Sequence, residues 1–161
     1  MTKLYPSRVA LGEQSRTRLI ESLNRILATT LDLRSQVKQA HWNIKGPQFF
    51  ARHLLFDRPV APLSDTADEV AERVSTLGGY AQGTTRLVAE LSGLPEYDLK
   101  ANDGQQHITA LSDRFGLYAK MLREGIATAA ECHDPATEDL LTEALRKTEL
   151  DLWFLESHIR N

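Results

Sequence analysis

The residues able to do chemistry concentrate between His41 and Glu72. Two imidazoles, His41 and His53, and three carboxylates, Asp57, Asp68 and Glu72, fall there at helix-compatible spacings. Imidazole and carboxylate together make a mixed nitrogen and oxygen donor set, suited to iron(II), manganese or zinc. His53 and Asp57 lie four residues apart, as do Asp68 and Glu72, so on a helix each pair projects from one side and can grip one ion. If one continuous helix carries both pairs, the stretch from Asp57 to Asp68 spans about 16 Å at about 1.5 Å per residue, whereas the ligands of one metal sit within about 2.2 Å of it. The pairs therefore cannot share an ion inside one subunit. Two such helices running antiparallel about a two-fold axis would remove the difficulty, because Asp68 and Glu72 of one subunit could then approach His53 and Asp57 of the other. His41 would complete each interface site. Taken singly, these residues also have plainer explanations: His41 as a satisfied core histidine, and Asp68 with Glu72 as a solvated face ahead of Arg73. His107, His133 and His158 read as isolated surface or capped residues, and Cys132 beside His133 as at most an adventitious metal site.

The elements that must position these groups are helices, since apolar residues recur at helical spacing throughout. Leu19, Leu23, Ile26, Thr30, Leu33, Val37 and His41 mark one face of a helix from about Ser15 to Asn43. Gly46 suits a left-handed cap and Pro47 the first turn of a second helix, which reaches Leu77 and stops at Gly78-Gly79. Its later stripe is Val70, Val74 and Leu77, and Asp68 and Glu72 point away from that stripe, toward solvent or a neighbour. Pro59 and Pro62 interrupt this helix, each deleting an N–H and crowding the carbonyl four residues back, so a kink or break is expected, with Ser64 a plausible N-cap for the restart. Asp57 is the ligand such a break would displace. Thr84 to Leu91 reads as a short connecting helix before a loop containing Gly93, Pro95, Asn102 and Gly104. Ile108, Leu111, Phe115, Tyr118, Leu122 and Ile126 define the third long helix. Leu141, Leu145, Thr148, Leu152, Leu155 and Ile159 define the fourth, after Pro135. Four long helices with one long connection describe an all-α, ferritin-like four-helix bundle with a short extra helix in the crossover.

Composition agrees with one domain: residues 1–14 form a short N-terminal tail and 15–161 the bundle. With 42% hydrophobic and 25% charged residues and a formal charge of −3, the chain is neither disordered nor a strongly basic nucleic-acid binder. One cysteine excludes an intrachain disulfide, and no apolar run approaches the roughly 20 residues of a membrane helix. The opening residues lack the apolar stretch of a secretory signal, so a cytoplasmic location is expected, with nucleoid association left open.

The run His41-Trp42-Asn43-Ile44-Lys45-Gly46-Pro47, then Phe49, His53, Asp57, Asp68, Ala71-Glu72-Arg73, Leu77-Gly78-Gly79, Gly83-Thr84-Thr85 and Leu152-Trp153-Phe154 resembles the Dps family, the DNA-binding proteins from starved cells. The resemblance runs from near Leu23 onward. It implies that His41, His53, Asp57, Asp68 and Glu72 form a ferroxidase site between two-fold-related subunits of a homododecameric cage. It further implies iron(II) as substrate, hydrogen peroxide as preferred oxidant and a stored iron(III) mineral; zinc or manganese could substitute at the site. No histidine here has a glutamate three residues earlier, which separates the chain from ferritins whose di-iron site lies inside one bundle. Trp42 could shield the metal or accept oxidising equivalents, although packing is the simpler role for an aromatic ring.

Residues 131–161 are net acidic, and around a three-fold axis Asp134, Glu138, Asp139 and Glu143 could concentrate cations at an iron-entry pore. Asp139 matches the family's aspartate at the start of the last helix. A solvated helix terminus explains the same acids equally well. DNA compaction is the alternative function: Lys3, Arg8, Arg16 and Arg18 give the first residues a modest positive balance, without a lysine-rich tail.

Overall fold

The computed structural model describes residues 4–159, and Lys3 and Arg160 lie outside them. Among the described residues six helices follow in chain order: α1 (Glu13–Asn43), α2 (Phe49–Asp57), α3 (Val60–Thr76), α4 (Thr85–Leu91), α5 (Gly104–Glu131) and α6 (Pro135–Glu156). The fold is the ferritin-like bundle that the periodicity describes. α1 packs against α3 and α5, α5 pairs with α6, and α2 and α4 lie against α1. The core joins the stripes: Leu19, Leu23, Ile26, Leu33 and Val37 of α1 meet Val70 and Val74 of α3 and Ile108, Leu111, Phe115 and Leu122 of α5, all essentially removed from water. Each such side chain stabilises the fold by about 1.5–3 kcal/mol relative to exposure. Two polar groups in this core satisfy each other: the Tyr118 and Thr30 hydroxyls lie 2.7 Å apart, and Thr30 donates to the Ile26 carbonyl. Ile159, assigned above to the last stripe, lies beyond α6 and is exposed.

The prolines do what their chemistry requires, though not where a serine cap would put the restart. α2 ends at Asp57 and α3 begins at Val60, with Arg58 and Pro59 both in right-handed helical conformation, so the chain kinks without leaving the helical direction altogether. Pro62 then falls in the first turn of α3, where an N–H has no intrahelical acceptor to lose. Ser64 is inside α3, its hydroxyl bonded back to the Val60 carbonyl at 2.8 Å, rather than at its N-cap. Pro47, expected in the first turn, instead precedes the N-cap residue Gln48, because Gly46 and Gln48 both turn the chain with positive φ, at 86° and 62°.

The C-terminal ends of α3 and α5 are closed by backbone geometry. Gly78 (φ 86°) and Gly79 return their N–H groups to Ser75 and Val74 and close α3 in a Schellman motif. His133 (φ 54°) and Asp134 repeat that pattern on Ala130 and Ala129 at the end of α5. The expected tail is held over its described part: the Tyr5 N–H donates to the Gly78 carbonyl at 2.8 Å, the Ser7 hydroxyl donates to Thr76, and Leu4, Val9 and Leu11 pack on the core. His107 corrects its surface assignment. It is 1% exposed, its Nδ1 lies 2.7 Å from the Tyr97 hydroxyl, and its ring sits edge-on to Phe56.

Candidate metal centre

The last turn of α1 and the first helix after the Gly46 turn bring His41 and His53 together as a reciprocal pair. Nδ1 of His41 lies 2.9 Å from the His53 carbonyl, and Nδ1 of His53 lies 3.0 Å from the His41 carbonyl. A carbonyl can only accept, so each Nδ1 carries a hydrogen, and a ring holding that one proton keeps its lone pair on Nε2. The rings stack with centroids 3.6 Å apart and planes 25° from parallel, with the Phe49 ring 5.2 Å from His53. Neither imidazole can rotate without breaking a bond to the other's backbone, which fixes tautomer and direction as a metal ligand requires.

Asp57 joins them despite the kink. Its Oδ1 accepts from the Lys38 ammonium at 2.9 Å and lies 3.8 Å from Nδ1 of His41. The Lys38 hydrogen bond, helped by the charge of the ammonium, holds the Asp57 carboxyl below the ordinary aspartate value. Spacing gave no notice of Lys38, although it shares a helix face with His41 and Trp42, one turn away.

Asp68 and Glu72 are not brought to this group. Both are exposed on the outer face of α3, and their carboxylates make no hydrogen bond or ion pair among the described residues. Among those residues no three His, Cys, Asp or Glu side chains converge tightly enough to hold a metal within one chain. Apolar side chains next to the histidines in sequence are instead exposed: Trp42 is 67% exposed, Phe50 70% and Leu54 53%. Trp42 thus does not pack into its own bundle; its nearest cation is Lys38, 5.8 Å from the ring.

The acids of the last segment divide. Asp134 is buried, both its oxygens accepting from the Arg73 guanidinium at 2.8 and 2.7 Å, with the Thr137 hydroxyl also donating to it. Burial alone would raise its carboxyl, but the Arg73 and Thr137 bonds outweigh that and hold it below the ordinary value. Its charge is thus paired inside the fold. Glu143 is paired with Lys147 at 2.8 Å, while Asp139 is exposed near the start of α6 and Glu138 lies in its first turn. The basic residues of the N-terminal region are also partly engaged: Arg16 donates to the Leu77 carbonyl and Arg18 pairs with Glu131. No helix among the described residues is long and apolar enough to cross a membrane.

Residues 20–161 match the ferritin-like domain model. The chain is 39% identical to the DNA protection during starvation protein of Agrobacterium fabrum over 98% of both chains. Among solved structures, it superposes on DpsC from Streptomyces coelicolor with a TM-score of 0.93 at 32% identity, covering 99% of this chain and 93% of that one. It superposes on Mycobacterium smegmatis Dps with a TM-score of 0.91 at 27% identity, covering 100% and 95%.

Proposed function

The chain belongs to the Dps family of ferritin-like proteins, and from that premise we propose that it oxidises iron(II) at sites shared between two-fold-related subunits and stores the iron(III) product inside a dodecameric cage. The observation that carries this reading is the crossed histidine pair, whose Nδ1 atoms are both committed to backbone carbonyls. The Nε2 atoms are thereby left as acceptors, and a nitrogen acceptor on a pre-oriented ring is a ligand for a divalent cation.

Each half of the site contributes what the other lacks. His41, His53 and Asp57 supply two nitrogens and a carboxylate; Asp68 and Glu72 of the partner subunit supply further hard oxygens. Oxygen donors favour iron(III) over iron(II), so the acidic half lowers the cost of oxidation while the imidazoles help retain the ferrous substrate. The Lys38 bond uses Oδ1 of Asp57 and keeps the carboxylate ionised, leaving Oδ2 for the substrate ion. Exposed Trp42, Phe50 and Leu54 would be covered by the partner subunit, a gain of about 25 cal/mol for each square ångström of apolar surface buried. Two ferrous ions oxidised side by side supply both electrons that reduce one hydrogen peroxide to water, with the O–O bond broken and two protons taken up, so no hydroxyl radical escapes. Zinc(II) or manganese(II) would compete for the same donors without supporting that reaction equally. Asp139 and Glu138 remain the acids available to draw cations inward.

The test is His41→Ala with His53→Ala in the assembled protein. Peroxide-driven iron(II) oxidation should slow by at least about tenfold, the scale on which metal sites respond to disruption of their ligand geometry. Native mass should remain that of the cage. Unchanged oxidation rates in an intact cage would overturn the proposal.

A further inference from the structure

The kink that threatens Asp57 carries its own anchor. Arg58 occupies the joint between α2 and α3, immediately after Asp57 and before Pro59. Its guanidinium pairs with the Asp151 carboxylate of α6 and lies over the Phe154 ring, 4.1 Å from the centroid. Asp151 is buried on the inward side of α6, between Thr148 and Leu155, and burial pushes its carboxyl up against the opposing pull of Arg58. A carboxylate taken out of water on a bundle helix is costly unless a paired cation compensates it. α2 needs such a tether: Phe56 is its one buried residue, and Pro59 cannot donate to the Leu55 carbonyl to continue the ladder.

We propose that Asp151 is a positioning residue for the metal centre: through Arg58 it fixes the α2–α3 joint, so that the Asp57 carboxylate faces His41 and His53 instead of following an unanchored kink. The inference rests on the iron site proposed above. Asp151 touches no substrate. It acts at a distance of one peptide unit, since the backbone held by Arg58 is the backbone that aims Asp57. The planar guanidinium suits this task, because it stacks on Phe154 and pairs with Asp151 at once, whereas a lysine at this position would be a point charge free to swing.

The experiment is anaerobic iron(II) titration by calorimetry on the assembled protein, for wild type, Asp151→Asn, Asp57→Ala and the double variant, with His41→Ala/His53→Ala as reference. Arg58→Gln, at a partly exposed position, serves as the second probe of the same tether and decides the matter should Asp151→Asn not assemble. Asp151→Asn and Arg58→Gln should each weaken iron(II) binding by about tenfold, the lower end of what loss of an orienting partner costs a metal site. In the Asp57→Ala background the further Asp151→Asn loss should fall below about twofold, because residues acting through one group are not additive. Wild-type affinity in both tether variants, or a full-sized additional loss without Asp57, would overturn the positioning role while leaving the iron site intact. Wild-type affinity in the histidine reference would instead overturn the iron site itself.

Discussion

A histidine that binds a metal must offer one nitrogen and have the other occupied, and His41 and His53 accomplish this on each other's backbone. The spacing of the two rings was readable from the sequence, because twelve residues containing a Gly-Pro turn bring one helix end back beside the next. The crossed bonds were not readable, since they depend on where two carbonyls point after Gly46 and Gln48 adopt positive φ. Ion pairs distant in sequence escaped for a related reason. Lys38 with Asp57, Arg58 with Asp151 and Arg73 with Asp134 each join different helices, and single-chain periodicity holds no record of such partners. Arg73 with Asp134 gives a residue-scale test. The Asp134 carboxyl is held below its ordinary value of 3.8, so its stabilising effect is fully present above that pH and is lost as pH falls through the lower folded value. Asp134→Asn should cost about 1–3 kcal/mol at neutral pH, since it leaves the half-buried Arg73 guanidinium without its carboxylate partner. Denaturation measured across acid pH should show that gap to wild type narrowing below 3.8; a gap constant with pH would show that the pair contributes nothing through charge.

Helices were legible because each long one carries a stripe on which every third or fourth residue is apolar, and burying that stripe dominates the energetics. Leu19 through Val37 and Ile108 through Leu122 are buried as that pattern requires. The breaks were harder to place. Pro59 and Pro62 announce an interruption, but a proline in a first helical turn costs nothing, so the restart moves back to Val60 and Ser64 becomes an interior residue. The end of α5 was similarly hidden, because a histidine fills the left-handed position that usually belongs to glycine. That residue makes an element-scale prediction. Left-handed backbone costs a non-glycine residue about 1–2 kcal/mol, and glycine gives back part of the gain as unfolded-state entropy. His133→Gly should therefore stabilise by about 0.5–1 kcal/mol, seen as a Tm rise of about 2 °C with no change in iron binding. A lowered Tm would show that the His133 side chain contributes contacts worth more than the strain.

Across the whole molecule, the donors divide between a histidine-bearing end of α1–α2 and the acid-bearing outer face of α3, and neither group is complete alone. Symmetry is what would complete them, and the exposed Trp42, Phe50 and Leu54 next to the histidines in sequence give a second subunit its reason to sit there. That division allows a direct measurement. One variant, His41→Ala/His53→Ala, retains only the acidic half; another, Asp68→Asn/Glu72→Gln, retains only the histidine half. Cages made from either alone should fail to bind iron(II) at the site. Cages co-assembled from equal amounts should recover about a quarter of the wild-type sites, because half the two-fold pairs are mixed and each mixed pair holds one intact site. Hybrid cages that bind no more iron(II) than their parents would contradict a site shared between subunits.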